Sequence, residues 1–143
     1  MNAKMIDAEG GLTLRRVCEL LDGEIICRGE LAEQNVASAC GCDLMSDVLA
    51  FTQPGSVLLT GLTNSQVIRT AEMLDLKAVV FVRSKRPDER TIKMAESLQL
   101  VIILSPHPLY ESCGRLYTAG LGGCKAPRHP ELESGPIAAC DGC

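Results

Sequence analysis

Aromatic residues make up only 3% of the 143-residue chain: two Phe, two Tyr and no Trp. There is accordingly no basic run interleaved with rings on which bases could stack. The net charge of −4 also argues against a nucleic-acid binder. No apolar run exceeds the length of a strand, far short of the ~20 residues that span a bilayer, so no membrane partner is expected. The opening MNAKMIDAEGG lacks the apolar stretch of a signal peptide, and a cytoplasmic location is expected. Two phosphate-binding signatures are missing, the G-x-x-x-x-G-K-[ST] loop and G-x-G-x-x-G. Neither His107, set between prolines, nor His129 stands beside an obvious nucleophile. No catalytic residue is assigned, and the chain reads as a non-enzyme.

What is present centres on the stretch from Ser56 to Pro87. Ser56 to Thr60 is apolar and β-prone, Gly61 breaks it, and Thr63 with Gln66 spells a capping box for a helix. Val67, Ile68, Ala71 and Leu74 form that helix's apolar stripe. Ala78 to Val82 is then apolar without alternation, the signature of a strand covered on both faces in a parallel sheet. Strand, helix and strand make a βαβ unit.

On the N-terminal side, Thr13 is an N-cap for a helix carrying Leu14, Val17, Cys18 and Leu21, closed by Gly23. Glu24 to Cys27 is a short strand. Asn35 to Cys42 reads as one extended segment, with Ala37, Ala39 and Gly41 forming a small-residue face that invites close approach by a helix or a second chain. Asp43 is expected to cap a helix whose buried side is Leu44, Met45, Val48 and Leu49. On the C-terminal side, Pro87 fits a first helical position, followed by Asp88 and Glu89. Leu100 to Leu104 is another apolar strand, and a last helix carries Leu109, Cys113, Leu116 and Tyr117 inward before Gly120. The alternation predicts an α/β three-layer sandwich with a mostly parallel sheet flanked by helices, over residues 1–121. Residues 122–143, rich in Cys, Pro and Gly, read as a tail.

Open parallel sheets bind ligands beyond the carboxyl ends of their strands, at a topological switch point. Those ends supply Asp43, then Gly61, Thr63 and Asn64, then Arg83 and Lys85 with Arg86, then Ser105 and His107. Hydroxyls, helix-start N–H groups and positive charge in one crevice suit a small anion such as a phosphate or carboxylate.

The same residues resemble a known family. Cys42 to Ala50 (CDLMSDVLA), Leu62 to Arg83 (LTNSQVIRTAEMLDLKAVVFVR), Lys85 to Glu89 (KRPDE) and Cys113 to Leu121 (CGRLYTAGL) are similar to DRTGG domains. The likeness is to the stand-alone form found beside iron hydrogenases in anaerobic bacteria, and also to the N-terminal domain of HPr kinase/phosphorylase. Gly61 to Asn64 stands where a G-D-R-type turn would, and Val82-Arg83-Ser84 replaces T-G-G. The resemblance implies a regulatory or assembly module that forms a homodimer, binds a small anionic metabolite or nucleotide, and has hydrogenase subunits among its partners.

The eight cysteines supply an alternative. Cys18, Cys27 and Cys113 sit in apolar patterns, as small core residues do. Cys140 and Cys143 form a C-x-x-C, and with Cys124 upstream they could hold zinc or an iron-sulfur cluster. That reading makes the chain a metal-binding accessory protein of a hydrogenase.

Overall fold

The computed structural model describes residues 11–124. In chain order the elements are β1 (Leu12–Thr13), α1 (Leu14–Leu20), β2 (Glu24–Cys27), a 3-10 turn (Gly29–Leu31), β3 (Asn35–Val36), β4 (Ala39–Gly41), α2 (Met45–Phe51), β5 (Val57–Thr60), α3 (Ser65–Met73), β6 (Ala78–Phe81), α4 (Glu89–Ser97), β7 (Val101–Leu104) and α5 (Leu109–Thr118). Five strands form the main sheet in the order β2-β7-β6-β5-β4. β4 to β7 are mutually parallel, and β2 closes one edge antiparallel to β7. β1 and β3 make a separate antiparallel pair.

The unalternating apolar strands explain the layers. Successive side chains of a strand point to opposite faces, so a strand with no polar position must be covered twice. Val57, Leu59, Ala78, Val80, Val101 and Ile103 enter one core, beneath α1 and α5. Leu58, Val79, Phe81 and Ile102 enter the other, beneath α2, α3 and α4. Burying each such aliphatic or aromatic side chain stabilises the fold by roughly 1.5–3 kcal/mol. The architecture is the expected α/β three-layer sandwich with a mostly parallel sheet.

Four helices stop in the same way. A residue just past the helix turns left-handed, Asp22 after α1, Asp75 after α3, Gln99 after α4 and Gly120 after α5. The next N–H then reaches back five residues, from Gly23 to Cys18, Leu76 to Ala71, Leu100 to Ala95 and Leu121 to Leu116, at 2.9–3.0 Å. This is the Schellman ending. After α3, α4 and α5 it plants a buried leucine directly behind the helix, steering the chain back to the sheet edge. After α1, Asp22 rather than Gly23 makes the turn.

Several local expectations change. Thr13 does cap α1, its hydroxyl accepting from the Arg16 N–H at 3.1 Å. Asn35 to Cys42 is not one strand: Asn35 and Val36 pair with β1, and the chain then steps into the main sheet as β4. Leu44 and Leu49 are 58% and 42% exposed, because α2 lies near the sheet edge and only Met45 and Val48 reach the core. Asn64, not Thr63, is the N-cap of α3, and no side chain closes it, so the capping box does not form. Asp88 caps α4 by accepting from the Thr91 N–H at 2.8 Å, which leaves Pro87 just outside the helix. The Thr91 hydroxyl and amide together hold the Asp88 carboxyl below its usual pKa.

The small-residue face of β4 meets a helix of its own chain. A methyl group placed on Gly41 would overlap Cys113 Sγ on α5, and Leu109 of the same helix lies next to it. Gly41→Ala is therefore expected to destabilise the fold by about 1–3 kcal/mol. Combined with Cys113→Ala, which removes the sulfur, it should cost markedly less than the sum of the two single changes, as read from urea midpoints in a double-mutant cycle.

Candidate functional site

The parallel run of β4 to β7 brings all four strand-end loops to one edge of the sheet. β6 leads to α4 and β7 leads to α5, which cover opposite faces. The switch-point crevice thus lies between the loops after β6 and β7. There the two loops are bonded to each other: the Arg83 N–H donates to the His107 carbonyl at 2.9 Å and the Ser84 N–H to the Ser105 carbonyl at 2.8 Å. To make those bonds Arg83 and Ser84 both adopt left-handed backbone, φ 60° and 53°. They occupy the place of the two glycines of T-G-G, residues that reach this conformation without a Cβ penalty.

Asp43 does not cap α2, whose N-cap is Leu44. Its Oδ1 instead accepts from the Thr60 hydroxyl at 2.9 Å and the Gly61 N–H at 2.8 Å, tying the end of β4 to the end of β5. Thr60 Oγ1 in turn accepts from the Leu62 N–H. Two backbone donors that an incoming anion could have used are thereby occupied from within. Asp43 and Gly61 are brought together, while Thr63 and the exposed Asn64 sit on the rim at the start of α3.

Ser105 and His107 also face inward. Ser105 is fully buried, its Oγ shares a hydrogen bond with Ser112 Oγ at 2.9 Å, and it accepts from the His107 N–H. Both ring nitrogens of His107 meet carboxylates, Nε2 with Asp22 at 3.1 Å and Nδ1 with Glu111 at 2.9 Å. Arg115 joins the cluster, donating to Asp22 and to the Leu20 carbonyl. This cluster fastens the loop after β7 to α1 and α5. Sequence reading did not find Asp22, Glu111 or Arg115; the i, i+4 spacing from His107 to Glu111 was the available signal.

Arg83, Lys85 and Arg86 remain open. All three are exposed, and among the described residues none of them forms an ion pair. The loop that carries them begins at Val82, whose side chain is 3.9 Å from the position of a Gly61 Cβ and whose N–H donates to the Thr60 carbonyl. Three exposed cations thus lie on the loop after β6, at the same edge of the sheet as the start of α3, which no side chain caps. Positive charge and open helix-start N–H groups are chemistry suited to an anion.

The described cysteines are free thiols. Burial pushes Cys27 up to about 11 and raises Cys18, Cys40 and Cys113, which keeps them protonated near neutrality. Cys124 accepts from the Gln53 N–H at 3.3 Å and lies 3.3 Å from Ser56 Oγ, while the backbone before it bridges Ala39 of β4 through Gly123. Cys140 and Cys143 lie outside the described residues, and among those described no group of three or more His, Cys, Asp or Glu side chains is placed to hold a metal ion. Likewise no described helix is long and apolar enough to cross a membrane.

The DRTGG domain family matches residues 16–119, well over half of the chain, and the chain belongs to that family. Among solved structures it is similar to the CBS and DRTGG domains of the regulatory region of Clostridium perfringens pyrophosphatase, complexed with activator, diadenosine tetraphosphate. The TM-score is 0.65 at 12% identity, covering 85% of this chain and 52% of that one, so the chain spans about half the length of that structure. At this identity the likeness is one of fold. A search of curated proteins finds no match.

Asp43→Ala removes the acceptor for two donors and should destabilise the fold by about 1–3 kcal/mol, with Asp43→Asn milder because one carbonyl oxygen is kept. Ser84→Gly should raise stability by about 1 kcal/mol, since it relieves a left-handed non-glycine while keeping the N–H that bonds Ser105. Denaturant midpoints read both changes.

Proposed function

We propose that the chain is a regulatory module, a homodimer without chemistry of its own, that binds a small anionic metabolite of the nucleotide class. The binding edge is the strand-end edge of the sheet, centred on the loop after β6, which stands between the loops after β5 and β7. The observation that carries this reading is the cluster of exposed Arg83, Lys85 and Arg86, none of them ion-paired among the described residues, at the sheet edge where α3 starts without a side-chain cap. The activator of the pyrophosphatase regulatory region, diadenosine tetraphosphate, has the matching chemistry: several phosphates and two purines. The proposed setting is redox metabolism with hydrogenase subunits as partners, a reading supported only by the sequence resemblance to the stand-alone domains found beside iron hydrogenases. Under this reading the HPr kinase-like likeness concerns the fold alone, because the phosphate-binding loop of a kinase is missing from the sequence.

Thermal unfolding with diadenosine tetraphosphate, ATP and inorganic phosphate tests the reading. Ligand at about 100 times its Kd stabilises by about 2.7 kcal/mol, a shift of several degrees for a domain of this size. The shift should vanish when Arg83, Lys85 and Arg86 are all changed to Ala. If no nucleotide or phosphate moves the midpoint, the ligand-binding half of the proposal fails.

A second reading has one structural observation in its favour. Cys124 is held in place by Gln53 and Ser56 at the edge of β4, so one thiol of the proposed zinc or iron-sulfur set with Cys140 and Cys143 is already fixed. Metal analysis of protein purified without oxygen decides it, a metal-free preparation ruling that role out.

A further inference from the structure

Apart from Glu111, whose carboxylate meets His107, the outward face of α5 has no function in anything described so far. Its exposed residues are Tyr110, Glu111, Gly114, Tyr117 and Thr118, spaced as a single helical stripe. Tyr117 was expected to point inward, yet it is 71% exposed, and Tyr110 is 91% exposed. These are the chain's two tyrosines. An open groove of about 1010 Å³ runs beside them, with Ala39, Gly41 and Gly123 in its wall.

Gly114 is the anomaly. Glycine in the middle of a helix costs about 1 kcal/mol relative to alanine. At Gly41 a packed sulfur explains the missing side chain, but a Cβ at Gly114 would meet nothing within 4 Å. Among the described residues nothing requires a glycine there. A second body approaching the helix closely does, because interaxial distance is set by the side chains at the crossing point.

We infer that this body is a second copy of the chain, docked about a two-fold axis through Gly114. The stripe is self-complementary in that arrangement. When two α5 helices cross antiparallel at Gly114, positions equidistant from it face each other. Tyr117 then meets the second copy's Glu111, and Tyr110 meets its Thr118. Each phenol gains a polar partner while its ring covers the glycine notch, the division of roles that makes tyrosine effective at interfaces. Both contacts are repeated by the symmetry, as an isologous pair requires. One helix does not supply the ~1,200–2,000 Å² of a stable interface, and the groove wall along β4 and Gly123 extends the surface. The inference rests on the homodimer reading and assigns it a surface.

Sedimentation equilibrium of the full chain over a concentration series is the test. The wild type should be a dimer, and Gly114→Gln should weaken association about a hundredfold, since its side chain is free in the protomer but blocks the crossing. A circular dichroism melt checks that this variant is folded. Should it not fold, Tyr110→Ala with Tyr117→Ala carries the same test. Met73→Ala, at an exposed position on α3, should leave association unchanged. A dimer that Gly114→Gln or the tyrosine pair leaves equally tight, or that Met73→Ala loosens as much, overturns this surface and leaves the homodimer reading standing. A wild type that stays monomeric at every concentration overturns both.

Discussion

Burial of β5, β6 and β7 on both faces is the constraint from which the rest follows. These strands leave almost no side chain in water, so helices must cover both sides of the sheet. The alternating side chains divide into two cores, and the chain meets the requirement with α2 to α4 on one face and α1 with α5 on the other. Since β4 to β7 all run the same way, every loop that leaves a strand end toward a helix emerges at one edge. The strand-end loops are gathered at that edge by the need to bury apolar strands.

Much of the polar chemistry at the edge serves the fold itself. Asp43 fastens β4 to β5, the left-handed pair Arg83 and Ser84 fastens the loop after β6 to that after β7, and His107 with Asp22, Glu111 and Arg115 fastens the loop after β7 to the helices behind it. Where a tie ends on a buried group, as at Thr60 and Ser105, it satisfies a hydrogen bond whose loss would cost more than its formation contributes. The exposed ion pairs of Asp22, Glu111 and Arg115 contribute less. A rigid edge results, carrying free positive charge in one loop. For the proposed anion site, such an edge would need little reorganisation on binding.

The sheet edge at β4 differs in kind. It is flanked by exposed apolar groups, Leu44, Leu49 and Phe51 around α2 and the two tyrosines on α5, and among the described residues only the short bridge at Gly123 lies alongside the strand. An uncovered edge strand invites pairing with another chain, and folded proteins cover or blunt such edges. Among the described residues the cover is incomplete, and the two exposed tyrosines stand on the helix face to which a second copy is assigned by our proposal.

Local patterns determined the elements. The unbroken apolar runs of Val57 to Thr60, Ala78 to Phe81 and Val101 to Leu104 specified central strands, Thr13 specified a helix start, and the alternation of strand with helix specified the layered class. Each of these depends on neighbours within a few residues, which is the range over which sequence is legible. Tertiary structure decided the rest, because the deciding partners are distant in the chain. Asp43 was drawn from a helix cap to Thr60 and Gly61, seventeen and eighteen residues on, and His107 was drawn to Asp22, eighty-five residues back. Tyr117 was turned outward because the apolar stripe of α5 is narrower than its composition suggested, with Ser112, Leu116 and Ala119 filling the inward side. A side chain that can bond locally or across the fold takes whichever partner leaves fewer buried groups unpaired, and that comparison exists only once the strands are side by side.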